Sequence, residues 1–275
     1  MIKREPPCDY CLDEKCGGTR ACDCSTCDIN HCCPKVLWPT IRITTRCTQR
    51  CGHCCYDCSP DRDDMMTLET AREVRTFLDA NRIQIITLMG GEVFCHPQWA
   101  DIVPLLAEGR QFVRLVTNGD WADGSGTFLD GLEGLQDRMV VSISKDRWHT
   151  NARVEAALQE CEDRGFVTKV TTESEDNLDN IVPIGRGEFH FGFYSMMGCH
   201  CHNPENHYHF LIDEQGVVYK CGLGSWDYTS VQRHLDGSFA PRFKEFNQAF
   251  YGSFVGSCAH CIRAWSHVVR KEGTG

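Results

Sequence analysis

The sequence predicts an α/β protein built around a parallel sheet. Stretches rich in β-branched and aromatic residues recur along residues 40–195, and helix-length segments lie between most of them. Strand and helix alternating about six times indicates a parallel sheet with crossover helices. The predicted strands are Thr40–Arg46, Ile83–Met89, Phe112–Thr117, Arg138–Ser144, Phe166–Thr172 and Glu188–Tyr194.

Two of the intervening segments are predicted as helices, Thr67–Ala80 and Asn151–Arg164. The first of them repeats apolar residues at helical spacing, so that one face can pack on the sheet. That face consists of Leu68, Ala71, Val74, Phe77 and Leu78.

Cysteine usage is the unusual feature of the composition, with 20 cysteines in 275 residues. No secretory signal or membrane-length apolar run is apparent, so we expect a cytoplasmic protein without membrane partners. Cytoplasmic thiols stay reduced and serve metals or catalysis more often than disulfides. The net charge of −10 argues against binding to nucleic acid.

The cysteines fall into three blocks, which predict three domains. Residues 1–38 form a Cys-rich segment expected to fold around metal, most simply iron–sulfur. Residues 39–195 contain the alternating strands and helices, and residues 196–275 form a smaller C-terminal unit.

A cysteine loop follows the first predicted strand. Cys47, Cys51 and Cys54 have the spacing C-x3-C-x2-C. Three thiolates can hold three irons of a [4Fe–4S] cube and leave the fourth iron open, because such cubes normally take four. Zinc also accepts a C-x2-C pair, so the spacing alone leaves both metals open.

Further polar and glycine residues follow the next three strands. Gly90, Gly91 and Glu92 come after the second strand, Thr117 and Asn118 end the third, and the fourth ends with Ser142 and Ser144. Carboxyl ends of parallel strands meet at one edge of the sheet. Glycines there permit close backbone approach, and a carboxylate can accept bonds from a cationic amino group.

In this order the cysteine loop, Gly-Gly-Glu and Thr-Asn-Gly resemble the radical SAM superfamily. The resemblance covers about residues 39–195 and implies a partial (β/α)6 barrel. It implies that Cys47, Cys51 and Cys54 bind a [4Fe–4S] cluster whose open iron chelates S-adenosylmethionine (SAM). Gly90, Gly91 and Glu92 would then hold the SAM ammonium, and Thr117 and Asn118 would lie near the cofactor. Ser142 or Ser144 would contact its ribose or carboxylate, although ordinary solvent-facing serines are an equal alternative.

The C-terminal block contains C-x14-G-x4-C followed by C-x2-C, formed by Cys201, Cys221, Cys258 and Cys261. Tyr208–Ile212 and Val217–Lys220 are predicted to form a hairpin between the first two cysteines. This block resembles the SPASM/twitch extension, which implies one auxiliary [4Fe–4S] cluster on these four thiols. A structural zinc ribbon is the alternative, and Cys199 competes with Cys201 as first ligand.

The N-terminal block is predicted to bind metal through some of its eight cysteines. One cube, two cubes or two zinc ions all remain compatible with the spacing. The block consists of Cys8, Cys11, Cys16, Cys22, Cys24, Cys27, Cys32 and Cys33.

The resemblance implies that a reductant of the flavodoxin or ferredoxin type supplies one electron that cleaves SAM to methionine and a 5′-deoxyadenosyl radical. The radical then abstracts a substrate hydrogen for a net oxidation. We expect the substrate to be a ribosomally made peptide. Two alternatives remain: dehydrogenation of a small molecule such as an aminosugar, and a non-catalytic iron–sulfur or zinc protein.

Overall fold

The computed structural model describes residues 37–124, 127–145, 149, 153–171, 208–219 and 227–240, and these form one mixed sheet with helices against it. The first five strands pair in parallel. They are β1 (Leu37–Arg42), β2 (Ile85–Met89), β3 (Phe112–Thr117), β4 (Met139–Ser144) and β5 (Val167–Thr171). Five of the six predicted strands are thus confirmed. The sixth, Glu188–Tyr194, lies outside the described residues.

The order of the strands distinguishes a barrel-type sheet from a doubly wound one. β1 to β5 follow each other along the sheet in chain order, without the reversal that marks a doubly wound fold. Each crossover therefore adds its strand on the same side, as in a (β/α) barrel. The sheet does not close among the described residues. This agrees with the predicted partial barrel.

Three α-helices accompany the strands: α1 (Leu68–Ala80), α2 (Trp99–Ala107) and α3 (Val154–Asp163). Helix α1 begins after Thr67, whose hydroxyl accepts a bond from the Thr70 amide as an N-cap. Its buried residues Ala71, Val74, Phe77 and Leu78 confirm the predicted apolar face, and Leu68 packs at its margin.

The two faces of the sheet differ in burial. In β3 the pattern alternates, with Val113 and Leu115 fully buried in the same core cluster as the apolar face of α1. The opposite face, which we call the inner face, carries the half-exposed residues Arg114 and Val116. Alternation with period two places every second residue of each strand on that inner face.

The predicted hairpin is present as β6 (Tyr208–Ile212) and β7 (Val217–Tyr219), followed by β8 (Asp227–Ser230). The Asp213 side chain accepts bonds from the Gln215 and Val217 amides, and Gly216 has φ +77°, which together close the turn. The sequence did not predict where the hairpin lies. β6 pairs in parallel with β1, so the sheet continues from the core into the C-terminal block.

The first strand lies three residues earlier than predicted at its start, Leu37, and ends at Arg42 rather than Arg46. Beyond Arg42, Thr44 forms an isolated bridge with Met65, and Arg46 forms another with Ser59. Just before the cysteine loop, the chain therefore pairs with residues that follow the loop rather than with a neighbouring strand.

The domain limits at residues 38 and 195 remain predictions, because the chain on the far side of each lies outside the described residues. In the described ranges, no helix combines the length and apolar character that crossing a membrane requires.

Candidate functional site

The cysteine loop is held closed at its base by the chain on either side. The Cys47 amide donates to the Ser59 carbonyl at 3.1 Å, and the Ser59 amide donates to the Thr45 carbonyl at 3.3 Å. The Thr45 hydroxyl also donates to the Asp64 carboxylate at 2.7 Å, which lowers the pKa of that carboxyl. Residues 47–58 therefore form a loop with both ends fixed against each other.

The three predicted ligands all lie on this loop. Cys47 and Cys51 are buried, and Cys54 is partly exposed. Burial raises the pKa of Cys47 to about 12, with a smaller contribution from Glu92 and the neighbouring thiols, although the bond from the Gln49 amide acts in the opposite direction. Its free thiol is therefore protonated at neutral pH, and a bound metal would be needed to hold it as a thiolate.

Two backbone amides and one side-chain amide point at these sulfurs. The Gln49 amide lies 3.5 Å from Cys47 Sγ, and the Cys58 amide lies 3.4 Å from Cys54 Sγ. The Asn118 side-chain amide lies 3.7 Å from Cys47 Sγ. Donors of this kind suit thiolates that carry the negative charge of an iron–sulfur cluster. The donor set therefore fits the implied [4Fe–4S] group.

Among the residues that the structure describes, no three His, Cys, Asp or Glu side chains converge on one point as the ligands of a single ion do. Each thiolate of a cube binds a separate iron, so cluster ligands do not have to converge in this way.

The two glycines after β2 lie directly against the cysteine loop. The Gly91 amide donates to the Thr44 carbonyl at 2.8 Å, and the Glu92 amide donates to the Arg46 carbonyl at 2.9 Å. A Cβ atom on Gly91 would lie 2.4 Å from the Arg46 oxygen and 2.8 Å from Cys47 Cβ. Only glycine permits this approach, so the Gly-Gly pair sets the position of the first cysteine.

Glu92 is buried, and its carboxylate joins the ends of β2 and β3. It accepts bonds from the Thr117 hydroxyl at 2.8 Å, the Asn118 amide at 2.7 Å and the Phe94 amide at 3.4 Å. Burial raises the pKa of Glu92 to about 7, although these donors act in the opposite direction. In this structure the Glu92 carboxylate accepts hydrogen bonds from three groups of the protein itself. A role of Glu92 at the SAM ammonium stays a prediction.

Asn118 connects three chain segments at the edge of the sheet. Its amide binds Glu92, and its side chain donates to the Thr48 hydroxyl at 3.1 Å besides approaching Cys47. Gly119 follows with φ +76°, which lets the chain turn away after β3. The structure thus brings together the cysteine loop, Gly-Gly-Glu and Thr-Asn-Gly, which the sequence placed at adjacent strand ends.

The two serines of β4 differ in their surroundings. Ser142 is fully buried, and its hydroxyl accepts a bond from Arg114 at 3.0 Å. Ser144 is half-buried at the end of the strand, where its backbone pairs with Thr171. Contact of either serine with SAM stays a prediction.

His96 ties the starts of two helices together, a role that the sequence did not reveal. Its Nδ1 accepts a bond from the Gln98 amide at 3.0 Å, so Nε2 carries the proton and donates to the Met66 carbonyl at 2.9 Å. Burial lowers the pKa of His96, because the charged ring is poorly solvated there.

A lowered pKa makes stability depend on pH. The unfolded chain takes up a proton at His96 near its ordinary pKa of about 6.5, whereas the folded chain resists it. We expect the free energy of unfolding to fall as the pH drops below that value, and His96→Gln to weaken this dependence. Anaerobic chemical denaturation across this pH range measures both slopes. Identical slopes for the two proteins would contradict the assignment.

The other predicted metal ligands lie outside the described residues. This applies to Cys201, Cys221, Cys258 and Cys261, to Cys199, and to all eight cysteines of the N-terminal block. Their metals remain predictions.

Comparisons with known proteins agree with this site. Residues 41–174 match the model of the Radical SAM superfamily. The antilisterial bacteriocin subtilosin biosynthesis protein AlbA of Bacillus subtilis (strain 168) is 27% identical over 113 residues. That alignment covers 41% of this chain and 25% of AlbA, so the chain matches only about a quarter of that relative's length.

Two solved structures share the fold. BtrN in complex with AdoMet and 2-DOIA has a TM-score of 0.55 and 13% identity, over 78% of this chain and 87% of BtrN. The structure of anSMEcpe with bound AdoMet and the Cp18Cys peptide has a TM-score of 0.50 and 15% identity, over 76% and 81% of the two chains. The match to the family model, the shared fold and the cysteine loop lead to one conclusion: residues 41–174 of this chain are a radical SAM domain.

Proposed function

We propose that this chain is a radical SAM enzyme that carries out a net oxidation of a ribosomally made peptide. The observation that carries the radical SAM part is the contact network of Cys47, Glu92 and Asn118. It places a three-thiol loop against the ends of β2 and β3.

The residues of this site would hold the cluster and its cofactor. Cys47, Cys51 and Cys54 would bind three irons, and the amides of Gln49 and Cys58 would donate to the thiolates. A [4Fe–4S] cluster with bound SAM supplies a 5′-deoxyadenosyl radical on one-electron reduction. The task of this chain is to orient the substrate and to exclude water and oxygen.

The peptide substrate is supported by the similarity to AlbA, whose name describes biosynthesis of a bacteriocin. The auxiliary cluster on Cys201, Cys221, Cys258 and Cys261 is part of the proposal. Four thiolates would leave none of its irons open to substrate, so it would suit the removal of the second electron of an oxidation.

Anaerobic reconstitution tests the proposal. Protein loaded with iron and sulfide, then given SAM and dithionite, should release 5′-deoxyadenosine and methionine in equal amounts. The amount of 5′-deoxyadenosine should rise when the correct substrate is present. A fully loaded protein that forms none would be a non-catalytic iron–sulfur protein. Release driven by an aminosugar rather than a peptide would favour the small-molecule alternative.

A further inference from the structure

The inner face of the sheet carries a half-buried guanidinium that no acidic group of the described residues neutralises. Arg114 lies in the middle of β3, and its side chain is on the face away from the helices. Its Nη2 donates to the Ser142 hydroxyl at 3.0 Å and lies 3.5 Å from the Thr171 hydroxyl. Its Nε is buried and has no hydrogen-bond partner in the described part of the chain.

Other shielded arginines of the described residues are paired differently. Arg42, Arg75 and Arg110 have side chains that are at most 19% exposed, and each contacts a carboxylate. Arg42 lies on the same inner face as Arg114 and meets Glu214 at 2.8 Å. Burial lowers the pKa of Arg114. A cation held away from water normally has an anionic partner, because desolvating an unpaired charge costs several kcal/mol.

Two hydroxyl groups lie beside this guanidinium. Ser142 Oγ and Thr171 Oγ1 are 3.0 Å apart, so one donates to the other. The hydroxyl that accepts this bond keeps its own hydrogen, which can be donated to a further acceptor. Lys169 is exposed and pairs with Ser142 across β4 and β5, which places a second positive charge on the same face. Each of these groups can bind an anion.

The Arg114 cluster borders the predicted SAM contacts, because Ser142 belongs to both. Arg114 precedes Thr117 by three residues, which corresponds to about 10 Å along the strand. The cysteine loop, Glu92 and Asn118 all lie at the carboxyl end of the strands. The Arg114 guanidinium, however, reaches Ser142 and Thr171, and Thr171 pairs with Ser144 at the end of β4. A ligand there would therefore lie on the inner face, close to the strand ends.

We propose that Arg114, with the hydroxyls of Ser142 and Thr171, binds a carboxylate of the substrate within the partial barrel. The inference rests on the proposed function, since a substrate must enter this face to meet the radical. Carboxylate is the anion that a ribosomally made peptide carries, on acidic side chains or at its C-terminus. A guanidinium matches its planar geometry.

The test uses two probes that differ only in charge, N-acetyl-glutamate α-amide and N-acetyl-glutamine α-amide. Calorimetry on the reconstituted protein with SAM bound should show that the acid binds at least about tenfold more tightly than the amide. Arg114→Gln should abolish this preference. Arg72→Gln is the matched control, because Arg72 is exposed on α1 and its loss changes the net charge equally.

A stability measurement separates binding from a structural role. Arg114→Met removes an unpaired charge but leaves the bond between Ser142 and Thr171, so we expect the melting temperature to rise by about 2–4 °C. A lower melting temperature would identify Arg114 as a structural residue and overturn the proposal. Equal binding of both probes by the parent protein would also overturn it.

Two further outcomes would reassign the site. Weaker SAM binding by Arg114→Gln would show that Arg114 binds the carboxylate of the cofactor. Tighter binding of inorganic phosphate than of the acid probe would show that Arg114 binds a phosphate group. Either result overturns the proposal. Iron content and 5′-deoxyadenosine formation in the same samples report separately on the proposed function, so its failure can be distinguished from failure of the carboxylate site.

Discussion

Replacing Cys47, Cys51 and Cys54 together by alanine is expected to remove about four irons per chain and to abolish release of 5′-deoxyadenosine. Each thiolate would hold a separate iron of one cube, so the loop without thiols cannot retain it. Irons held by the N-terminal and C-terminal cysteines should remain, because those residues are unchanged. Iron, sulfide and zinc analysis of the anaerobic protein measures the loss.

The matched control for this loss is Cys161→Ala. Cys161 is fully buried on α3, where burial raises the pKa of its thiol to about 12. It therefore behaves as a small apolar side chain. The variant should lose some stability and keep all of its iron. If the triple variant loses zinc and keeps its iron, the loop binds a different metal and the proposed chemistry is wrong.

Gly91→Ala is expected to have the second largest effect, because its Cβ would overlap the backbone of the cysteine loop. The Arg46 oxygen would lie at 2.4 Å and Cys47 Cβ at 2.8 Å, and neither belongs to the end of a flexible side chain. Arg46 is itself held by its bridge to Ser59. The loop must move, so we expect loss of the same cluster and a destabilisation of roughly 1–3 kcal/mol.

Gly134→Ala provides a control that destabilises without touching the site. Gly134 has φ +83°, and a Cβ atom there would meet nothing within 4 Å, so alanine adds only backbone strain. Its cost should be roughly 1–2 kcal/mol, with full iron content. Iron content and chemical denaturation of both variants distinguish the two effects. Equal iron in the Gly91 and Gly134 variants would show that close approach at Gly91 does not position the cluster loop.

Much of the core could be predicted because its signals are local. Stretches rich in β-branched and aromatic residues identified five strands, and apolar residues at helical spacing identified the buried face of α1. Parallel strands end at one edge, so the order of Cys47, Glu92 and Asn118 along the chain was enough to bring them together.

Other features escaped prediction because they depend on partners distant in sequence. The strand Tyr208–Ile212 was expected in the C-terminal unit, yet it pairs with β1, over 160 residues away in the sequence, and no local pattern encodes that choice. Likewise, the sequence could suggest Glu92 as a cofactor ligand. Only the fold shows that its carboxylate already accepts bonds from Thr117, Asn118 and Phe94.

The amino-acid sequence by itself determined the alternating α/β architecture, the three-thiol loop and the adjacent strand ends, because periodicity and spacing act over short distances. The tertiary structure decided which charges are neutralised. Arg42 and Arg114 both lie within predicted strands. The turn after β6 brings Glu214 to Arg42, whereas no described acidic residue forms an ion pair with Arg114. The net charge around a side chain depends on strand register and on chain segments far apart in sequence, and these are established only when the sheet is complete.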